Sequence, residues 1–266
     1  MRVTKVTEEN ATRLLPGIVA LEQNTTYPFG EDSFAINHGK DYFKFFERLG
    51  DLIYYVMEHD DQVVAVAGAI LRDVPFVGTK NKRGWYICDL KVRPDFRGQH
   101  LPLKFLGKTW LQNYLRCPRG YAISMNSSAK QANRIAKLMA RFRWLRFRLA
   151  AQLQIYALDY DQVIEQRALL ERHLGPVSFL SLRGQKDLVL QSTGKPLPLL
   201  HLQHGPCGVQ GAKNPQSGFT HMFCLTESDS LIGKLAEQNI HPHADASLIA
   251  HGMSGCNWKF VLTSDI

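Results

Sequence analysis

The stretch DLKVRPDFRGQHLPLKFL, residues 89–106, carries the most information about this chain. The apolar run WYIC precedes it, so it opens as the end of a buried strand, Trp85 to Val92. The chain then turns through Arg97 and Gly98 and enters a helix. Leu103, Leu106, Trp110 and Tyr114 recur there at helical spacing. Pro102 suits the first turn, where its missing N–H costs nothing. Amides at a helix start point outward without intrahelical partners, and the helix dipole adds positive potential. Strand, glycine loop and helix start in this order predict an anion site suited to phosphate. Arg97 adds a fixed cation with five donors.

Upstream, the pattern predicts a short strand at Val3 to Val6 and a helix from Glu8 to Glu22 with Thr7 as its cap. Thr25 to Ser33 read as turn-rich, and a helix is expected from Asp41 to Leu49. Leu52 to Met57 and Val63 to Leu71 read as an antiparallel hairpin, with Asp60-Asp61 at its turn. Downstream, Tyr121 to Met125 read as a strand and Ser128 to Phe142 as a helix. Phe147 to Leu158 follow as a strand and Gln162 to Leu174 as a helix that stops at Gly175-Pro176. A boundary is expected there, with a first domain at 1–175 and a smaller α+β region at 176–266. That region reads as several short strands, a Gly/Pro-rich loop at Gly205 to Gly218, a strand at Thr220 to Leu225, a helix from Asp229 to Asn239 and two further strands. No internal repeat is visible in the sequence.

The run DLKVRPDFRGQHLPLKFL resembles the acetyl-CoA-binding motif of the GNAT superfamily of N-acyltransferases. Leu90, Val92 and Pro94 match the family's strand end, and Arg97 matches the first position of its loop. The order of elements matches over about residues 1–158. The resemblance implies an α/β fold: a mixed, mainly antiparallel sheet flanked by helices. It implies acetyl-CoA, or another acyl-CoA, as co-substrate. The pantetheine arm would lie along Leu90 and Val92. The pyrophosphate would meet Arg97 and the amides of Gly98, Gln99, His100 and Leu101.

This sequence departs from the family pattern at two small loop positions, which hold His100 and Pro102. His100 adds a side chain where glycine lets backbone approach phosphate, and Pro102 removes a donor. The family's later Asn-x-x-Ala motif is matched by Asn133 and Ala136, with Asn126 and Ala129 as a competing register. In the first register the family's tyrosine position is Ala140, and no tyrosine lies in this helix. Protonation of the departing thiolate would fall to Tyr156, Tyr121, another group or water. Asp89 is the only carboxylate on its strand. It is expected either as a base whose pKa burial raises, or as a structural partner of Lys91, Arg93 or backbone. Cys88 on the same strand reads as a small hydrophobe rather than a nucleophile, and Tyr86 as core or pocket wall.

Composition narrows the class further. The 266 residues are 45% hydrophobic and 21% charged, enough for a packed core. No apolar run approaches the ~18 residues of a transmembrane helix. The start, MRVTKVTEEN, lacks the apolar core of an export signal, and the five cysteines show no paired spacing. A cytoplasmic protein with reduced thiols is expected. The net charge of +8 favours anionic partners, but no nucleic-acid signature accompanies it. Arg134, Lys137, Arg141, Arg143, Arg146 and Arg148 form a basic run that would suit an acidic partner or remain a solvated face. Lys104 and Lys108 would suit the CoA 3′-phosphate. His201, His204, His241, His243 and His251 show no zinc spacing, and no metal is expected. The function expected is acyl transfer from CoA to a primary amine on a small molecule or peptide, with a homodimer as one arrangement. The alternatives are a non-catalytic binding or sensing module, and a transferase with a longer-chain or carrier-protein donor.

Overall fold

A computed structural model describes residues 1–126, 134–139, 141–142 and 144–266, with backbone alone for 134–136. The hairpin read from the sequence is β4 (Asp51–His59) and β5 (Gln62–Val74), paired antiparallel. Asp60 and Asp61 both take positive φ at its turn, 49° and 58°, the backbone a two-residue hairpin needs to match strand twist. β1 (Arg2–Lys5) flanks β4, and β6 (Lys82–Val92) flanks β5. Helix α1 (Glu8–Gln23) starts after Thr7, whose amide donates to Asn10 Oδ1 at 2.9 Å.

The segment expected as turn-rich is instead a hairpin, β2 (Thr26–Phe29) and β3 (Asp32–Asn37). Tyr27 stacks on Phe34 across it, a cross-strand aromatic contact that outweighs the turn-forming composition. The helix expected at 41–49 shortens to α2 (Lys44–Glu47). Then come α3 (Leu101–Arg116), β7 (Gly120–Met125), α4 (Arg134–Met139), β8 (Arg148–Leu158) and α5 (Tyr160–Leu174). The C-terminal stretch gives β9 (Ser178–Leu180), β10 (Asp187–Leu190), β11 (Leu199–Gln203), β12 (Thr220–Thr226), α6 (Leu231–Glu237) and β13 (Ala244–His251). Where a last strand was expected, the chain makes a 3-10 turn at Trp258–Phe260.

The fold is α/β, a mainly antiparallel sheet with helices on both faces. Its ten strands run β1-β4-β5-β6-β7-β13-β8-β12-β11-β9. Two neighbouring pairs are parallel, β6 with β7 and β11 with β12. They sit symmetrically about the central antiparallel pair β13 and β8. In the first half β6 reaches β7 through α3, and α4 leads on to β8. In the second half β11 reaches β12 through the Gly/Pro-rich loop with a 3-10 turn at Gly205–Cys207, and α6 leads on to β13. Each half places its last strand beside the other half's parallel pair, so one sheet runs through both. A second sheet, β10-β3-β2, also joins the two halves.

Side chains alternate between the faces of the large sheet. Leu153 and Ile155 of β8 pack toward α1, α2 and the small sheet, while Tyr156 and Leu158 pack toward α5 and α6. The space between the large and small sheets holds the site.

Candidate active site

β6 and β7 pair only from Trp85↔Gly120 through Ile87↔Ala122, and then diverge. The cause is local. Asp89 takes φ 51°, and the β5–β6 register shifts between Val66 and Gly68. A bulge of this kind bends the strand and re-aims its side chains. Gly68 makes room for it, because a Cβ there would lie 2.8 Å from Cys88 Sγ. Into the gap opens a cavity of about 460 Å³. Cys88, Asp89 and Leu90 line one wall, and Ile123, Ser124 and Met125 the other. Its far side is apolar: Tyr27, Phe34 and Leu188 from the small sheet, with Phe45 and Phe46 of α2.

A buried chain of charges braces the bulge. Asp89 Oδ2 accepts from Tyr42 at 2.7 Å and from Tyr54, and Oδ1 accepts from Lys91. Lys91 Nζ also lies 3.3 Å from Glu22 Oε1, and Glu22 bonds His38 Nδ1. Burial works to raise the Asp89 pKa, but Lys91, His38 and Tyr54 outweigh it and hold the carboxyl below the usual aspartate range. Burial works to lower Lys91, and Asp89, Tyr27 and Glu22 overcome it and raise the ammonium above its usual value. The expectation that burial would raise Asp89 is therefore corrected: three donors keep it ionised. Burial pushes the Cys88 thiol and the Tyr86 phenol well up, which leaves no thiolate nucleophile on this strand.

Beyond Val92 the chain makes a 3-10 turn at Pro94–Phe96 and enters α3 through Gly98 at φ 85° and His100 at φ 55°. The amides of Gly98, Gln99, His100 and Leu101 have no hydrogen-bond acceptor among the described residues. A Cβ at Gly98 would meet nothing within 4 Å, so this side of the loop is open. A groove of about 550 Å³ runs from Leu90 and Val92 past Arg97 and Gly98 to His100, Leu101 and Pro102. Lys137 and Arg141 line its other side. Leu90 and Arg97 border both the groove and the cavity, so the two lie on either side of these residues.

The residues read from the sequence are thus brought together around β6, with exceptions. Gln99 is exposed and does not line the groove. Tyr156 is fully buried on the opposite face of the sheet, stacked on Phe223 at 5.1 Å between ring centroids, and its hydroxyl donates to Gln154 Oε1 at 2.8 Å. It is not in the cavity, and strand alternation explains why, since its neighbour Ile155 is. Asn133 lies outside the described residues. Lys104 and Lys108 reach Met1 rather than the loop. Among the described residues no group of three or more His, Cys, Asp or Glu side chains could hold a metal ion, and no helix is long and apolar enough to cross a membrane.

Sequence reasoning missed Glu22, His38 and Lys186. Glu22 had a signal: it continues the Leu14, Ile18 spacing on the apolar stripe of α1, where a carboxylate needs a buried partner. Lys186 and His201 line the cavity from the C-terminal stretch, and no local pattern marks them.

The family model of the Acetyltransferase (GNAT) family matches residues 19–101, from within α1 through the hairpin, β6 and the loop. That stretch is similar to the GNAT family. The matched stretch is followed by strands that complete the same sheet. A tandem GNAT protein from the clavulanic acid biosynthesis pathway, solved without acetyl-CoA, is similar over 94% of this chain and 98% of its own, at 12% identity and a TM-score of 0.51. That likeness is one of fold, and it agrees with the two parallel pairs set about β13 and β8. A GCN5-related N-acetyltransferase from Anabaena variabilis is similar over 94% of this chain and 72% of its own, at 10% identity and a TM-score of 0.48. An uncharacterized protein of Acanthamoeba polyphaga mimivirus is 23% identical over 257 residues, 93% of this chain and 75% of its own.

Proposed function

We propose that this chain transfers an acyl group, most simply acetyl, from CoA to a primary amine. The observation that carries the reading is that Leu90 and Arg97 border both the groove and the cavity. A phosphate-type loop and a buried chamber meet where β6 and β7 separate. A thioester donor that spans two such compartments would present its carbonyl at their junction.

The residues present fit acyl-CoA despite His100 and Pro102. Four amides and Arg97 suit the pyrophosphate, and Lys137 and Arg141 add positive charge across the groove. Pro102 gives up an N–H that has no intrahelical partner in any case. Beyond Ile87 the edge of β6 that faces β7 pairs with no strand among the described residues, which leaves room for an extended arm beside Leu90 and Val92. Bound acyl-CoA would supply an activated thioester: the amine forms the C–N bond, the C–S bond breaks, and the proton lost by the amine balances the one gained by the departing CoA thiolate. Asp89 then serves as a positioning residue: it fixes the bulge that opens the chamber, and its carboxylate is already engaged by three donors. The apolar walls exclude water and favour the uncharged amine that must attack. The cytoplasm suits this reading, with all five cysteines free.

Calorimetric titration with acetyl-CoA tests it. Wild type should bind, and Arg97→Ala should bind more weakly. A folded wild type that gives no heat with acetyl-CoA sinks the simple donor and turns attention to a carrier-protein donor or a non-catalytic role.

A further inference from the structure

The buried charges around the cavity are paired almost throughout. Glu22 and Asp89 share Lys91. Asp265 takes Arg72 at 2.9 Å and Arg48 at 3.7 Å. Lys186 differs. It is 7% exposed, it lines the cavity, and among the described residues no carboxylate oxygen lies within 4.0 Å of its Nζ. Its hydrogen bond is a long one, 3.4 Å to the backbone oxygen of Thr263, and its ammonium lies 5.0 Å from the centroid of the Phe45 ring.

The backbone holds it there firmly. Gly39 packs so closely on Gly184 that a Cβ would sit 2.1 Å from the Gly184 oxygen. The Lys186 amide closes a turn on Leu182, and β10, which starts at the next residue, pairs with β3. A lysine fixed in an apolar chamber with no counter-charge of its own is a receptor for an anion. Of the other ionisable side chains lining the chamber, His201 bonds Thr263 Oγ1, Asp89 is held by Lys91, and Arg97 adds a second positive charge where the groove begins. Among the described residues a polycationic acceptor would find no unpaired carboxylate side chain there and would meet Lys186 and Arg97.

Resting on the acyl-transfer reading, we infer that the chamber takes an amine that also carries a carboxylate, an amino acid with an apolar side chain, and that Lys186 pairs with that carboxylate. The side chain would pack on Tyr27, Phe34, Phe46 and Leu188. The amine is left toward the gap between β6 and β7. Burial and the neighbouring Arg48 and Lys91 pull the free lysine down to about 7, while Asp265 opposes them, and a bound carboxylate restores its proton.

The test compares L-leucine, L-methionine and L-phenylalanine with isoamylamine, 3-(methylthio)propylamine and 2-phenylethylamine, the same molecules without the carboxylate. Binding is read by calorimetry without donor, and transfer by release of CoA thiol. Wild type should favour the amino acids by at least about 10-fold in both, the scale of a charge-assisted contact. Lys186→Met should erase that preference and leave acetyl-CoA affinity unchanged, and Lys186→Arg should retain part of it. Equal handling of the amines, preference for spermidine, or a preference that survives Lys186→Met overturns the inference. Failure of the donor reading looks different: acetyl-CoA does not bind, while amino-acid binding still depends on Lys186.

Discussion

Asp89 and Lys91 stand two positions apart on β6 and form a buried ion pair at the bulge that parts β6 from β7. Lys91 also faces Glu22, so one ammonium answers two carboxylates. Lys91→Met should therefore leave two buried carboxylates without their shared ammonium and cost about 3–5 kcal/mol, read by urea unfolding at neutral pH. The sign with pH follows from Asp89, whose pKa in the folded chain is lowered. Its contribution is present above the usual aspartate range and is lost as pH falls through the depressed value. The gap between wild type and variant should narrow toward acid pH. A gap that stays constant would show that Lys91 acts through packing alone.

Arg97 is exposed and braces no core, so Arg97→Ala should leave the unfolding midpoint unchanged. Loss of a charge-assisted contact to phosphate should weaken acetyl-CoA roughly 10- to 100-fold. Wild-type affinity should also fall with added salt, and the salt slope should be smaller in the variant. Equal affinities at low salt would place the pyrophosphate elsewhere.

Gly39 and Gly98 make a paired comparison. Both have positive φ, 70° and 85°. A Cβ at Gly39 collides with the Gly184 backbone at 2.1 Å, whereas one at Gly98 meets nothing within 4 Å. Gly39→Ala should cost roughly 2–3 kcal/mol and disturb the seat of Lys186, while Gly98→Ala should cost about 1 kcal/mol from backbone alone. Thermal unfolding of the two variants side by side checks the order, and a more damaging Gly98→Ala would contradict it.

Much of the first half was legible because its signals are local. The Asp60-Asp61 turn, the β6 strand, Arg97, Gly98 and the start of α3 all follow from residues close in sequence. The bulge at Asp89 was not, since it depends on Gly68 across the ladder. The insertion of β13 between β7 and β8 was hidden for the same reason: its pairing partners, Gly120 to Met125 and Arg148 to Ile155, lie about a hundred residues away in the chain. Lys186 entered the site only through that long-range closure. Tyr156 misled because a tyrosine on the last strand of the GNAT-like half looks available until the alternation of β8 is fixed against its neighbours.

Tyr156→Phe turns that correction into a measurement. The phenol bonds Gln154 on its own strand, and burial pushes it up to about 12. Removing the hydroxyl should change stability by about 1 kcal/mol or less. The rate of CoA release should stay within about twofold, since an acid that contributes to catalysis is worth about 100-fold or more. A large fall in rate at unchanged stability would return Tyr156 to the mechanism.

Lys186 gives the clearest pH signature. Its pKa falls from the ordinary 10.5 to about 7 in the folded chain, with burial the main cause and Arg48 next. Between these two values the unfolded chain carries a proton that the folded chain lacks, so wild-type stability should rise with pH across that window. The slope from this one group reaches at most about 1.4 kcal/mol per pH unit. Below about pH 7 both states are protonated, and the full cost of the buried ammonium is present. Lys186→Met removes the cost. The variant should therefore exceed wild type most at pH 6 and by progressively less toward pH 10. Unfolding free energies at pH 6, 8 and 9.5 decide it: a difference that shrinks with pH establishes an unpaired buried amine, and parallel profiles would mean that Lys186 is solvated or already paired.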